Sequence, residues 1–120
     1  MPEISAEFKP FTIKRPWGNF RQFTTNNPFT VKIILVKKGE AFSLQYHNKR
    51  SEFWRIISGT PEITIGDSVV EAKMGDEFQI PKKTKHRVRS LDTDTEFLEI
   101  SSGEFDENDI VRLEDKYGRI

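Results

Sequence analysis

Residues 42–54 read Phe-Ser-Leu-Gln-Tyr-His-Asn-Lys-Arg-Ser-Glu-Phe-Trp. Side chains on a strand alternate between its two faces. Gln45 and His47 therefore share one face, and Leu44 and Tyr46 share the other. Residues 48–51 form a short turn, and Glu52 begins the next strand. A hairpin at that turn would return Glu52 beside the Gln45/His47 face. The same alternation sends Phe53 away from Glu52 and keeps Trp54 on its side.

The second histidine of the chain, His86, opens another strand behind Pro81, with Val88 and Ser90 on its face. An amide oxygen (Gln45), a carboxylate (Glu52) and two imidazoles (His47, His86) thus make a convergent oxygen and nitrogen donor set. That set suits one divalent transition metal ion: Zn first, with Mn, Co, Fe and Ni also compatible. Four protein ligands in a six-coordinate shell leave room for water or substrate.

Outward from this stretch, Gly and Pro punctuate short runs rich in Phe, Ile, Val and Thr, the pattern of many short strands. Strands are expected at 11–15, 19–24, 30–38, 42–47, 52–58, 61–65, 69–74, 77–80, 86–90 and 95–102. A Pro16-Trp17-Gly18 turn separates the first two. Gly66-Asp67-Ser68 joins the 61–65 and 69–74 runs as a hairpin. Residues 30–38, TVKIILVKK, are apolar on both faces at their centre and are expected to be a buried strand. The two tryptophans, Trp17 and Trp54, are expected in the core. Asp106 followed by Asp109 resembles a helix N-cap box ahead of residues 110–113, so a short C-terminal helix is expected there. The fold class is all-β, a sandwich or small barrel.

The 120 residues fit one domain. The 19 basic and 19 acidic side chains cancel, so there is no global attraction to nucleic acid or to anionic membrane. No apolar run approaches the ~20 residues of a membrane-spanning helix, and the N-terminal MPEISAEFKP lacks a signal-peptide pattern. A cytoplasmic location is expected. With no cysteine, disulfides, thiolate metal sites and thiol nucleophiles are excluded. Charge is locally segregated: residues 82–89, KKTKHRVR, are basic, and the stretch between Ser90 and Val111 is acidic. The bland account is two solvated faces; the sharper one turns part of the basic run toward an anionic ligand.

The spacing Gly39-x5-Gln45-x-His47-x4-Glu52-x6-Gly59, followed by Gly75-x5-Pro81-x4-His86, resembles the two metal-binding motifs of the cupin superfamily. Gln45 stands where the first motif has a histidine. Lys83 replaces a glycine of the second motif, and Ser90 stands near the place of its terminal Asn. More narrowly, the chain resembles the cupin domain of type II phosphomannose isomerases, which is found behind mannose-1-phosphate guanylyltransferases. Arg15-Pro16-Trp17-Gly18, residues 42–54, Ile80-Pro81 through His86-Arg87, Ser102-Gly103-Glu104, Asp109-Ile110-Val111-Arg112 and residues 114–119 carry that likeness. It departs at Phe53, where the family has histidine, and at Ser101, where it has glutamine. No glycine-rich nucleotide loop precedes Arg15, so nucleotide-sugar synthesis by these 120 residues is not expected.

The resemblance implies a single cupin (double-stranded β-helix, jelly-roll-like) barrel, with a core at about 11–103 and a helix and tail at about 106–120. It also implies a metal-dependent aldose–ketose isomerase interconverting mannose 6-phosphate and fructose 6-phosphate. A non-catalytic metal- or sugar-binding module, or an isomerase of another sugar phosphate, is the alternative. Isomerisation needs a proton carrier between C1 and C2, oxyanion stabilisation and a phosphate anchor. Glu99 is the candidate base, because a carboxylate inside a barrel has a raised pKa. Arg119 would join the catalytic set if the tail folds over the barrel mouth. Lys82, Lys85 and Arg50 are the candidate phosphate-binding residues; for Arg50 a structural bridge to Glu52 or another carboxylate is the favoured reading. The partner is then a small-molecule sugar phosphate, and a homodimer is one assembly that would cover the edges of a small sandwich.

Overall fold

A computed structural model describes residues 8–120. The first seven positions of the N-terminal stretch read above lie outside the described residues. Eleven strands run in chain order: β1 (Phe11–Arg15), β2 (Gly18–Gln22), β3 (Thr30–Val36), β4 (Leu44–Tyr46), β5 (Arg50–Ser58), β6 (Glu62–Ile65), β7 (Ser68–Glu71), β8 (Glu77–Ile80), β9 (His86–Arg89), β10 (Thr95–Gly103) and β11 (Val111–Glu114). Two antiparallel sheets face one another, in the orders β3-β10-β5-β8 and β11-β4-β9-β6-β7, and β1 and β2 form a separate hairpin.

The inner faces of the sheets enclose Val36, Trp54, Ile56, Ile63, Ala72, Ile80, Val88 and Phe97. Trp54 is fully buried, as its parity with Glu52 requires, and its ring packs 5.1 Å from that of Phe97. A second cluster lies on the outer side of the four-stranded sheet. There Phe53 and Ile100 are covered by Phe8, with Phe23 and Phe29 around them. The β1–β2 hairpin is tied to this sheet by Glu77, which accepts hydrogen bonds from Arg21 (2.7 Å) and Arg55 (2.6 Å).

Three expectations are overturned. Residues 111–114 form strand β11 on the open edge of β4, with Arg112 opposite Gln45, and the described residues contain no helix. The Asp106/Asp109 signal is real but serves a loop: Asp106 Oδ1 accepts from the Asn108 amide, and Asp109 caps the amides of Asn48 and Lys49. β3 is an edge strand and not a buried one: its outward row of Val31, Ile33 and Leu35 is exposed, outside the outer aromatic cluster that covers Phe53 and Ile100, while Lys32, Ile34 and Val36 face inward. Trp17, at the tip of the β1–β2 hairpin, is 74% exposed and belongs to no core.

Candidate metal centre

Partners on neighbouring strands share a face, so two rows of side chains meet across the sandwich. On the five-stranded sheet the row is Arg112, Gln45, His86 and Ile65. On the four-stranded sheet, Lys32 is paired with Glu99, Glu99 with Trp54, and Ser101 with Glu52. Glu52 therefore reaches Gln45 and His47 from the opposing sheet. The expected hairpin between β4 and β5 does not form, and the convergence is made across the core.

His47, Glu52 and His86 are all buried and place their ligating atoms within 4.8 Å of one another. The tautomers follow from the second nitrogens. His47 Nδ1 lies 2.6 Å from the Asp109 carbonyl oxygen, and His86 Nδ1 lies 2.9 Å from that of Thr84. Each Nδ1–H donates to a carbonyl, which leaves both Nε2 lone pairs turned toward the Glu52 carboxylate, at 3.3 and 3.9 Å. Arg50 supplies one positive charge to these crowded acceptors, lying 3.2 Å from both His47 Nε2 and Glu52, and a metal ion among the three ligating atoms would take over the Nε2 lone pairs. Backbone carbonyls that fix the outer nitrogen are the usual support of metal-bound imidazoles.

Ionisation agrees with that reading. Burial, the largest influence, lowers the pKa of both histidines and favours the neutral, ligating form. Burial alone would push Glu52 up. The positive charge of His86 and His47, felt when those rings are protonated, together with the Trp54 indole and Arg50, outweighs it and holds the carboxyl below the usual range. Gln45 stands beside the triad, its amide nitrogen 3.4 Å from His47 Nε2 and its Oε1 accepting from Ser43 Oγ at 2.5 Å. Because the Ser43 hydroxyl both donates and accepts, turning the amide over keeps that bond and presents Oε1 to the cluster. Of the four donors expected from the sequence, His47, Glu52 and His86 form a cluster that could hold a metal ion, and Gln45 borders it.

A pocket of about 350 Å³ opens onto the triad and is lined by all four donors together with Lys32, Ile34, Phe42, Arg50, Glu99, Glu107, Ile110 and Arg112. Glu99 is buried next to Glu52. Burial first, and then the Glu52 charge, push its pKa up to about 8, and Ser101 Oγ donates to its Oε2 at 3.3 Å. Arg50 is held in place: Nε donates to Glu52 (3.2 Å), Nη1 to the Asp106 carbonyl (3.2 Å) and Nη2 to His47 Nε2 (3.2 Å). It is the bridge to Glu52.

Lys82 and Lys85 do not line this pocket. Lys82 is exposed in the turn before β9, and Lys85 Nζ points to Asp67 at 3.6 Å. The tail does fold back, but onto the 39–42 loop. Lys116 Nζ reaches the Gly39 carbonyl at 3.0 Å, and the Tyr117 hydroxyl donates to Glu40. Arg119, paired with Asp115, lines a neighbouring pocket of about 420 Å³ that shares Ile34 and Phe42 with the first. Lys32 and Arg112 also line the pocket and were not among the residues expected from the sequence. The signal that would have found Lys32 was its inward parity on β3. For Arg112 it was hidden by the expected helix.

The sequence matches the family described as mannose-6-phosphate isomerase C-terminal over residues 5–115. The chain belongs to this family. It is 40% identical over 109 residues to the xanthan biosynthesis protein XanB of Xanthomonas campestris pv. campestris, covering 89% of this chain and 23% of that protein. It is 34% identical over 110 residues to the mannose-1-phosphate guanylyltransferase ManC of Salmonella typhimurium, covering 90% of this chain and 23% of that protein. The chain thus spans less than a quarter of the length of these relatives. Among solved structures, a cupin protein from Bacteroides fragilis superposes with a TM-score of 0.59 at 25% identity, covering 64% of this chain and 67% of that one. The fold of this family member is that of a cupin. The departure at Phe53 leaves its site intact, because Phe53 faces the outer aromatic cluster and not the pocket.

Proposed function

We propose that this domain is a metal-dependent isomerase that interconverts mannose 6-phosphate and fructose 6-phosphate. One observation carries the reading: a buried Glu99 beside the His47–Glu52–His86 cluster, in a pocket large enough for a small ligand. The family match supports the substrate class. His47, Glu52, His86 and Gln45 would hold a divalent ion. Bound there, it would supply stabilisation of the oxyanion that develops at C1 and C2.

The chain's own residues do the rest. Glu99 takes the proton from C2 of the aldose while O1 gains a proton, which gives the enediol; it then returns its proton to C1 while the O2 hydroxyl gives up its own, so atoms and charge balance over the cycle. A carboxyl group pushed up to about 8 exchanges protons near neutral pH, the condition that favours general acid–base work. Ser101 orients Glu99 through its hydroxyl. Arg50 positions His47 and Glu52, and the Phe42 and Ile34 walls limit water at the reacting carbons.

The test is a coupled assay with mannose 6-phosphate on protein reconstituted with Zn, Mn or Co. Turnover that depends on metal is expected. Glu99→Gln should lower kcat by roughly 10²–10⁴-fold, as removal of a general base does. Fully metal-loaded protein without turnover would make the domain a binding module.

A further inference from the structure

The donor cluster and Glu99 leave two cations of the same pocket without a role. Lys32 and Arg112 both line it. They come from opposite sheets: Lys32 is the register partner of Glu99, and Arg112 that of Gln45. Among the described residues no carboxylate or carbonyl pairs with the Arg112 guanidinium, and its Nε is buried without a hydrogen-bond partner. A buried N–H without an acceptor is costly, and such exceptions in a native fold need an explanation. Lys32 is only lightly engaged. Its ammonium lies 4.2 Å from the centroid of the Phe105 ring and 3.7 Å from Oε1 of Glu107, a largely exposed carboxylate. Elsewhere in the pocket the third cation, Arg50, is committed to Glu52 and His47.

A guanidinium with free donors on one wall and an ammonium on the facing wall make a receptor for an oxyanion with several acceptor oxygens. We propose that Lys32 and Arg112 are the phosphate-binding residues of this site and that its ligand is a phosphate monoester of a sugar. The sugar part rests on the isomerase reading above. The anion part stands on these two side chains alone.

The experiment uses metal-loaded protein and three variants, Lys32→Gln, Arg112→Gln and Arg112→Lys, with Lys85→Gln for contrast. Metal content and melting temperature are recorded for each. Calorimetric titration with mannose 6-phosphate and with inorganic phosphate gives Kd, and steady-state kinetics give KM and kcat. Lys32→Gln and Arg112→Gln should each weaken mannose 6-phosphate by about 10-fold or more, with metal content unchanged. Arg112→Lys should keep part of the affinity. Inorganic phosphate should compete with mannose 6-phosphate in the wild type. A ligand held only as free phosphate would match the affinity of the ester and overturn the sugar-phosphate assignment. Wild-type affinity in both glutamine variants, or a loss that appears with Lys85→Gln instead, overturns the anchor. If Arg112→Gln does not fold, Lys32→Gln and Arg112→Lys decide the matter. The two readings separate cleanly. Phosphate-dependent binding lost in the variants without any turnover upholds the anchor and removes the isomerase. Turnover whose KM ignores both residues does the reverse.

Discussion

The indole Nε1–H of Trp54 donates to Oε1 of Glu52 at 2.9 Å. The largest side chain of the core and the carboxylate at the centre of the donor cluster therefore hold each other in place, two residues apart on β5. Trp54→Phe keeps an aromatic ring but removes the donor and leaves a gap. It is expected to cost about 2–4 kcal/mol of stability in denaturant titration. Metal affinity, measured by competition with a chromogenic chelator, should fall about 10–100-fold, the usual effect of losing a partner of a ligating group.

Metal should stabilise the fold. A ligand that binds only the native state adds about 2.7 kcal/mol at 100 times its Kd. The melting temperature of chelator-treated protein should rise on adding Zn, Mn or Co. In His86→Ala and Glu52→Ala that rise should vanish, because each removes one corner of the triad. A wild-type melt that ignores both chelator and metal would count against the site.

Glu77 gives a pH signature away from the site. Burial opposes its ionisation, but hydrogen bonds from Arg21 and Arg55 outweigh it and lower its pKa below the usual value. The folded state thus binds the proton less tightly than the unfolded one. The pair's contribution is complete above the ordinary carboxyl pKa of about 4.5 and is lost as pH falls through the lower folded value. Glu77→Gln should cost about 1 kcal/mol at pH 7 and almost nothing at about pH 2. Equal destabilisation at both pH values would show that packing, and not charge, ties the hairpin to the sheet.

How far the sequence could be read is clearest from three places. Strand positions followed from alternation, and parity placed Gln45, His47, Glu52 and Trp54 inward and Phe53 outward, as found. What parity does not carry is pairing. The donors meet across two sheets and not in a hairpin, because β4 takes β9 and β11 as neighbours while β5 takes β8 and β10. The same gap explains β3. Its apolar outer row reads as buried until it is known that the outer cover of the sheet stops at β10 and β5. The C-terminal error has a different cause. Asp106 and Asp109 carry true capping chemistry, yet the unpaired edge of β4 gains more from a strand than an isolated turn of helix could.

Gly59 marks a tight crossing near the start of β10. Its φ is +92°, and an added Cβ would fall against the Asp94 carbonyl oxygen and lie 3.0 Å from Thr95 Cα. Neither backbone atom can step aside. Gly59→Ala should destabilise by about 2–4 kcal/mol in urea unfolding. By contrast, Gly39→Ala meets nothing within 4 Å and should cost only the strain of its positive φ, about 1 kcal/mol.

The central claim is that Glu99 moves a proton between C1 and C2 of mannose 6-phosphate in a metal-dependent site. The most direct measurement is proton NMR of mannose 6-phosphate incubated in deuterated buffer with metal-loaded protein, following fructose 6-phosphate and the C1 and C2 resonances together. The account predicts product with metal, none after chelation, and a loss of roughly 10²-fold or more in Glu99→Gln. Wild-type protein at full metal occupancy that forms no product and exchanges no carbon-bound proton, or a Glu99→Gln variant that does both at the wild-type rate, would contradict it.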